Sequence, residues 1–122
     1  MKYIIPEVPP SNNRYIGREN RWEYQAEKKR WAQLIGYLCT PKPEKPLERA
    51  TVILCYHFRD NRRRDPDNYS GKMILDGLVH AGILKDDSFS CIDLVLRQGK
   101  ANPKNPVTEI EVKPYETTSN KP

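Results

Sequence analysis

The chain has 122 residues, of which 37% are hydrophobic and 30% charged, and its formal net charge is +5 at pH 7. This composition is typical of one globular domain and excludes a disordered chain or a membrane protein. No apolar run approaches the roughly 20 residues of a transmembrane helix, and no signal peptide is evident, so we expect a cytoplasmic protein without membrane contact. The basic excess points mildly to a polyanionic partner.

The first half of the chain predicts a strand, a helix and a second strand. Residues 1–8 are typical of a short strand, which ends in the turn-rich segment 9–13. A helical pattern covers residues 18–38, with apolar side chains at the i, i+3, i+4, i+7 spacing of one face. After a proline-rich connection, residues 49–58 alternate as a strand that we expect to be covered on both faces.

The second half of the chain predicts one helix followed by two strands. The helix is expected over residues 68–81, and the strands over residues 92–96 and 108–112. The order strand, helix, strand, helix, strand, strand predicts a single α/β (α+β) domain over residues 1–122, with a mixed sheet packed against two helices. The polar segment 115–122 is expected to fray.

Three cysteines, Cys39, Cys55 and Cys91, are widely spaced and form no CxxC pair. In the sequence, His57 and His80 are not placed to complete a zinc site with them. Cys55 and Cys91 fall in apolar strand patterns, so we expect buried free thiols. A disulfide framework is not expected in a reducing cytosol.

The residues that suggest chemistry follow the second predicted strand, in the order Arg62, Arg63, Arg64, Asp65, Pro66, Asp67, Asn68. Pro66 biases Asp65 toward extended backbone, in which residues i and i+2 project to one side, so we expect Asp65 and Asp67 to converge. Two close carboxylates repel each other unless a proton or a cation lies between them. A hard divalent ion such as Mg²⁺ suits this pair.

Further polar residues lie at both ends of the second predicted helix. Asn68 falls where this helix is expected to begin, and the positive end of a helix attracts phosphate. Lys72 is expected a little over one turn into the helix, within reach of a phosphate bound near the metal. Asp86 and Asp87, here called the acidic doublet, follow the helix. Metal-dependent phosphodiester cleavage needs this set, with carboxylates to hold metal and cations to position phosphates.

Interpretations of the same residues that involve no catalysis also stay open. Asp67 or Asn68 as a helix N-cap would contribute about 1 kcal/mol to the helix. The acidic doublet as a solvated turn, and the arginines as an exposed face, would need no function. Asp76 is expected to be structural, because it lies about one turn from Lys72 and is able to pair with it or with Lys85.

Several short segments of the chain also match the motifs of a known protein family, in the same order along the sequence. Residues 9–13 read Pro-Pro-Ser-Asn-Asn, similar to a PPSxN entry motif. The series D-x-D-N, K, D-x-L, G, D-D is carried by Asp65, Asp67, Asn68, Lys72, Asp76, Leu78, Gly82, Asp86 and Asp87. This ordered series resembles the signature of the RusA family of Holliday junction resolvases. The resemblance covers residues 3–113, nearly the whole chain, and an ordered series is more specific than any one acidic pair.

The resemblance implies a RusA-like fold and a homodimeric, Mg²⁺-dependent endodeoxyribonuclease, with Mn²⁺ as a substitute ion. Such an enzyme nicks two opposed strands of a four-way junction by direct hydrolysis, in DNA recombination and repair. A symmetric junction fits a dimer with two related sites. The implied metal ligands are Asp65, Asp67 and one of Asp86 and Asp87, and the implied essential lysine is Lys72. The implied DNA contacts, largely to phosphates, come from Arg62, Arg63, Arg64, Asn68 and Lys72.

The spacing departs from the family pattern at one place. The family has its lysine four residues after the second aspartate, whereas Lys72 follows Asp67 by five. Counting from Lys72 makes Asp87 the catalytic member of the doublet, and counting from Asp65 makes it Asp86. Asp87 is favoured, because a helix absorbs an extra residue more easily at its start than in its packed middle.

Two other functions fit the sequence. The first is a protein that binds branched DNA without cutting it, and the carboxylates argue against it because they would repel DNA in the absence of metal. The second is a nuclease for flaps, forks or plain duplex. The residues do not exclude it, since selectivity for a DNA structure arises from the geometry of a dimer.

Overall fold

The computed structural model describes residues 1–115, so the predicted fraying of the segment 115–122 lies, after Tyr115, outside the described residues. The elements in chain order are β1 (Lys2–Ile5), α1 (Arg21–Leu38), β2 (Ala50–His57), α2 (Lys72–His80), β3 (Ile92–Gln98) and β4 (Val107–Pro114). Short 3₁₀ turns cover Asn12–Tyr15, Arg18–Asn20 and Pro66–Tyr69. Within the described part of the chain, neither helix is long and apolar enough to cross a membrane.

The four strands form one mixed sheet in the order β1-β4-β2-β3. β2 and β3 are parallel and are connected through α2, which is the crossover that parallel neighbours require. β4 pairs antiparallel with both β1 and β2, so it lies inside the sheet although it follows the other three strands in the described sequence. The predicted α+β domain, with a mixed sheet and two helices, is confirmed.

The core lies between one face of the sheet and the two helices. Its largest buried side chains come from α1, α2 and alternate positions of the strands, and include Trp31, Ile35, Ile74, Leu78, Val52, Leu54, Ile110 and Val112. Burying each large apolar side chain contributes roughly 1.5–3 kcal/mol before the cost of ordering the chain. In α1 the buried residues Trp31 and Ile35 lie on the predicted apolar face, of which Leu34 and Leu38 are half-buried.

The other face of β2 is less covered than predicted. Thr51, Cys55 and His57 are half-buried, whereas the alternate residues of β2 are buried. Their cross-strand neighbours explain the difference, because Thr51 pairs with Lys113 and Cys55 with Glu109. Ile53 is buried on this face, but the charged neighbours of Thr51 and Cys55 keep the rest of the face in contact with water, so the prediction of two covered faces holds only in part.

Helix α2 begins at Lys72 and not at residue 68 as predicted. Gly71, with φ of 82°, separates the turn Pro66–Tyr69 from the helix. A Cβ atom at this position would lie 2.3 Å from Cδ1 of Leu54, so both the backbone angle and the space require glycine. Because Gly71 is the residue before α2, neither Asp67 nor Asn68 is its N-cap. Lys72 is therefore the first residue of the helix instead of lying one turn inside it.

The three cysteines are free, as predicted. Cys39 is buried at the end of α1, where burial raises the pKa of its thiol to about 11. Cys55 and Cys91 are half-buried, so the expectation that both are buried is wrong. Cys91 immediately precedes β3, and Cys55 lies on the less covered face of β2.

Candidate functional site

The acidic segment, residues 65–68, starts as predicted and then turns. Asp65 has φ of −97° and ψ of 138°, the extended backbone expected before a proline. The next four residues form the 3₁₀ turn Pro66–Tyr69, so Asp67 is not part of an extended segment. The predicted extended backbone is therefore present at Asp65 and absent at Asp67, and the convergence of the two side chains stays a prediction. The side chain of Asp65 is 52% exposed and accepts a hydrogen bond from Nε of Arg63 at 3.3 Å.

The motif segment 9–13 lies against the acidic segment. Nδ2 of Asn12 donates to the backbone oxygen of Asp67 at 3.0 Å and to Oγ of Ser70 at 3.1 Å. Oγ of Ser11 accepts from the backbone amide of Asn13 at 3.2 Å and so caps the 3₁₀ turn that carries Asn12. Two segments that are 55 residues apart in the chain are thereby joined at the turn that carries Asp67.

The three arginines before the acidic segment differ in availability. Arg64 is 16% exposed, donates to Oδ1 of Asp60 at 2.9 Å and lies 4.2 Å from the ring centre of Phe58. The backbone amide of Arg62 and the guanidinium of Arg64 hold the pKa of Asp60 below its ordinary value. Arg63 is 89% exposed, and Arg62 is also largely exposed. Arg64 therefore holds the loop in place, while Arg62 and Arg63 face solvent where a polyanion is able to approach.

Lys72 belongs to a group of charges between the two helices. Its Nζ atom lies 3.7 Å from Oδ2 of Asp76, one turn along α2. Nζ of Lys28, on α1, lies 3.5 Å from the same oxygen. The predicted pairing of Asp76 with Lys72 is confirmed, and the second partner is Lys28 instead of Lys85. Oδ2 of Asp76 is buried without a hydrogen bond, so these two ion pairs alone offset the cost of its burial within the described residues.

The acidic doublet lies in a cleft between α1 and α2. This cleft has a volume of about 720 Å³, and its lining includes Lys28, Lys29, Asp76, His80, Asp86 and Asp87. Asp86 is exposed and Asp87 is half-buried. Asp65 lines a different cleft, of about 300 Å³, with Asn68 and the three arginines. The doublet and the acidic segment therefore border different clefts.

The four predicted metal ligands do not form a compact ligand group. Among residues 1–115, no set of three ligand atoms within 4.8 Å of one another includes Asp65, Asp67, Asp86 or Asp87. The geometric reason is that Asp86 and Asp87 border one cleft and Asp65 another. Of the predicted DNA-binding residues, Asn68 and the three arginines line the same cleft as Asp65, whereas Lys72 lies beside Asp76.

A second group of side chains, missed in the sequence, does bring ligand atoms together. It consists of Cys55, His57 and Glu109, called the sheet cluster below, whose Sγ, Nε2 and carboxylate oxygen lie within 4.8 Å of one another. Nε2 of His57 is 2.5 Å from Oε2 of Glu109 and 3.8 Å from Sγ of Cys55. Nδ1 of His57 is 2.8 Å from the backbone oxygen of Lys100. The structure thus places His57 beside Cys55, whereas the sequence predicted no zinc site that combines a histidine with the cysteines.

Hydrogen bonding shifts the pKa values of the pair His57 and Glu109 in opposite directions. The backbone oxygen of Lys100 and the carboxylate of Glu109 raise the pKa of His57, and partial burial opposes them. The imidazole of His57, helped by Lys2, lowers the pKa of Glu109.

The sequence signal for this cluster was the spacing of Cys55 and His57, since residues i and i+2 of a strand share a face.

Comparison with known proteins adds no assignment to either group of residues. No family model matches the chain, and no curated protein is significantly similar to it. The resemblance to the RusA family therefore depends on the ordered motifs and stays a prediction.

Proposed function

We propose that the protein is a Mg²⁺-dependent endodeoxyribonuclease that resolves Holliday junctions in the cytoplasm, acting as a homodimer. The observation that carries this proposal is the contact of Asn12 with the backbone oxygen of Asp67 and with Ser70. It joins two of the motifs on which the family resemblance depends. A side chain that ties down the backbone beside a carboxylate limits the directions in which that carboxylate can point.

The donor chemistry of the acidic residues fits a hard divalent cation. Asp65 and Asp67 offer carboxylate oxygens on one short turn, and Mg²⁺ or Mn²⁺ takes such ligands together with several waters. Asp65 and Asp67 would hold the ion, and Asp87, which borders a different cleft, would have to approach them to serve as the third carboxylate. A bound Mg²⁺ polarises a phosphodiester and lowers the pKa of a bound water.

The remaining residues act on the DNA itself. Lys72 carries an ammonium group at the first residue of α2, where it would offset the negative charge that builds on the scissile phosphate. Arg62 and Arg63, which face solvent, would hold neighbouring phosphates without reading sequence. Arg64 holds the loop through Asp60 and so acts as a positioning residue.

The choice of Asp87 within the doublet rests on the shape of the chain before α2. Ser70 and Gly71 lie between the 3₁₀ turn and the helix, outside both, and Gly71 has a left-handed backbone. An extra residue relative to the family spacing is easily absorbed there, which supports counting from Lys72. Asp87 is also the less exposed member of the doublet.

Self-association is supported by the outer surface of α1. Trp22 and Tyr37 are largely exposed on this helix, and aromatic side chains are enriched at protein interfaces. β4 is an inner strand with a neighbour on each side, so it cannot extend the sheet into a second chain. Because of these two exposed aromatic side chains, we place the dimer contact of the proposal on α1.

The test is a cleavage assay on a labelled four-way junction, with Mg²⁺ or with EDTA, beside a linear duplex. We expect paired symmetric nicks that need Mg²⁺ and that fall by at least about 100-fold in an Asp67→Asn variant. Glu44→Gln is the matched control, since it removes one exposed carboxylate outside both acidic groups. Asp87→Asn is expected to lose more activity than Asp86→Asn.

The other outcomes separate the alternative functions. Tight, metal-independent binding of the junction without nicks would indicate a protein that binds branched DNA. Equal cutting of the linear duplex would keep the chemistry and remove the preference for a junction. Cleavage that survives Asp67→Asn would contradict the proposed site.

A further inference from the structure

The sheet cluster lies away from the core, on the less covered face of β2 and β4. Cys55 and His57 are alternate residues of β2, and Cys55 is the direct cross-strand partner of Glu109 on β4. Thiol, imidazole and carboxylate are the three ligand types that Zn²⁺ takes in proteins. None of the three residues belongs to the acidic groups of the proposed nuclease site.

The distances within the sheet cluster come close to those of a zinc site. A tetrahedral ion with ordinary bond lengths separates sulfur and nitrogen ligands by about 3.5 Å, and nitrogen and oxygen ligands by about 3.3 Å. Sγ of Cys55 and Nε2 of His57 are 3.8 Å apart. Oε2 of Glu109 is 2.5 Å from Nε2, so an ion would have to open this one contact, which a partly exposed glutamate side chain permits.

The ring of His57 is already oriented for a ligand at Nε2. A carbonyl oxygen only accepts hydrogen bonds, so Nδ1 must be the nitrogen that donates to Lys100 at 2.8 Å. This backbone partner fixes the ring and leaves Nε2 facing Cys55 and Glu109. Histidine ligands of metal ions usually have such a second partner on the other nitrogen.

Gly99 lets the backbone after β3 pass directly against the cluster. A Cβ atom on Gly99 would lie 2.4 Å from Cε1 of His57 and 2.9 Å from Sγ of Cys55. Its amide donates to the backbone oxygen of Tyr56 at 2.8 Å, which holds the chain in this position. The thiol and the imidazole are therefore confined between the end of β3 and Glu109.

We propose that Cys55, His57 and Glu109 bind one Zn²⁺ ion, with a fourth position open to water. A cleft of about 140 Å³, lined by Lys2, Arg97 and Glu111 among others, adjoins Cys55 and Glu109 and gives room for that water. Binding replaces the proton on the thiol and the proton on Nε2, both of which pass to solvent. The thiolate and imidazole favour Zn²⁺ over Mg²⁺, so this site is distinct in its metal from the proposed nuclease site.

The bound ion would join β2 to β4 and fix the start of the loop at Lys100. Because the folded chain would bind the ion and the unfolded chain would not, zinc is expected to raise Tm, by roughly 5–10 °C at saturation. The site does not depend on the proposed nuclease function, and either proposal stands if the other fails.

The test is a titration of the metal-free full chain with Zn²⁺, in a buffer with a reductant that contains no thiol. We expect one zinc per chain, not displaced by millimolar Mg²⁺. Cys55→Ser is expected to weaken zinc binding by roughly 100-fold or more, and the half-buried Cys91→Ser, the matched control, to leave it unchanged. Wild-type chain loaded with Co²⁺ should show thiolate-to-metal absorption, a readout that does not depend on any variant.

Three results would overturn the zinc proposal. The first is the absence of stoichiometric zinc on the wild-type chain. The second is equal zinc affinity of wild type and Cys55→Ser. The third is a Co²⁺ complex without thiolate absorption, which would mean that the sulfur of Cys55 is not a ligand.

Discussion

The acidic segment before α2 and the sheet cluster on β2 and β4 hold their polar side chains in opposite ways. Asp65 is 52% exposed and has a single, long contact with Arg63. His57 is 19% exposed, and each of its ring nitrogens has a partner within 2.8 Å. The sheet cluster is thus ordered before any ligand arrives, whereas the acidic segment has side chains that a charged partner would have to order.

This difference follows from the elements that carry the two groups. Two paired strands fix the positions of Cys55 and Glu109 through the backbone ladder of the sheet. The acidic segment runs into a short turn, which is tied to other elements by Asn12 at Asp67 and by the hydroxyl of Tyr56 at Tyr69. A site on a turn costs more conformational entropy to order, so the two groups should respond differently to substitution.

The largest effect is expected at Lys72, and it tests the proposed nuclease site that includes the acidic segment. We expect Lys72→Met to slow junction cleavage by roughly 100- to 1,000-fold, because the ammonium stabilises charge that develops on the phosphate. Single-turnover rates at saturating Mg²⁺ measure this effect.

Lys28→Met is the matched control for Lys72→Met. Both lysines pair with Oδ2 of Asp76, at 3.5 and 3.7 Å, so both variants remove the same kind of ion pair. We expect Lys28→Met to keep cleavage within a few-fold of wild type. Equal losses in the two variants would assign the effect to Asp76 and not to the phosphate.

A smaller effect is expected from Gly71, which sets the start of α2. Gly71→Ala combines a left-handed backbone with a contact at 2.3 Å to Leu54, and should lower the free energy of unfolding by about 2–4 kcal/mol. Gly82 also has a left-handed backbone, with open space around its Cα, so Gly82→Ala should cost only about 1–2 kcal/mol. Urea unfolding of both variants measures the difference. Equal losses of unfolding free energy would show that the close contact with Leu54 does not add to the cost of the left-handed backbone.

The smallest expected effect is a dependence of stability on pH in the sheet cluster. The pKa of His57 is raised above 6.5, so its stabilising contribution is complete below pH 6.5 and is lost as the pH rises through the raised value. The pKa of Glu109 is lowered from 4.5, so its contribution is present above pH 4.5 and lost as the pH falls. The pair is therefore most stabilising between these two values.

Two variants test the pH dependence. The free energy of unfolding of the metal-free chain is expected to fall above pH 6.5. We expect His57→Gln and Glu109→Gln each to reduce this fall, by less than about 1 kcal/mol, since the pair is partly exposed. Urea midpoints across pH 5–9 measure it. A decline that persists unchanged in both variants would show that other groups cause it.

Most elements could be predicted from the sequence because their signals are local. The apolar spacing around Trp31 and Ile35 predicted α1, and alternation predicted β2 and β4 to within two residues at each end. The start of α2 could not be predicted, because Leu54, on another element, determines that residue 71 has no room for a side chain.

The two groups of polar residues show the same limit. The sequence predicted the pair Lys72 and Asp76, since four residues make one helical turn, but not Lys28, which the packing of α1 on α2 supplies. The sheet cluster needs Glu109, which strand pairing brings to His57 from 52 residues away. Sequence spacing within one element cannot show such a contact.

The inner position of β4 also affects how the chain folds as it is made. β4 fills the gap between β1 and β2, yet among the strands of residues 1–115 it leaves the ribosome after the other three. Until residues 107–114 emerge, the first strand has no neighbour and β2 pairs with β3 alone. The nascent chain therefore holds open strand edges until β4 emerges, a period in which contact with other chains is hazardous and chaperones are useful.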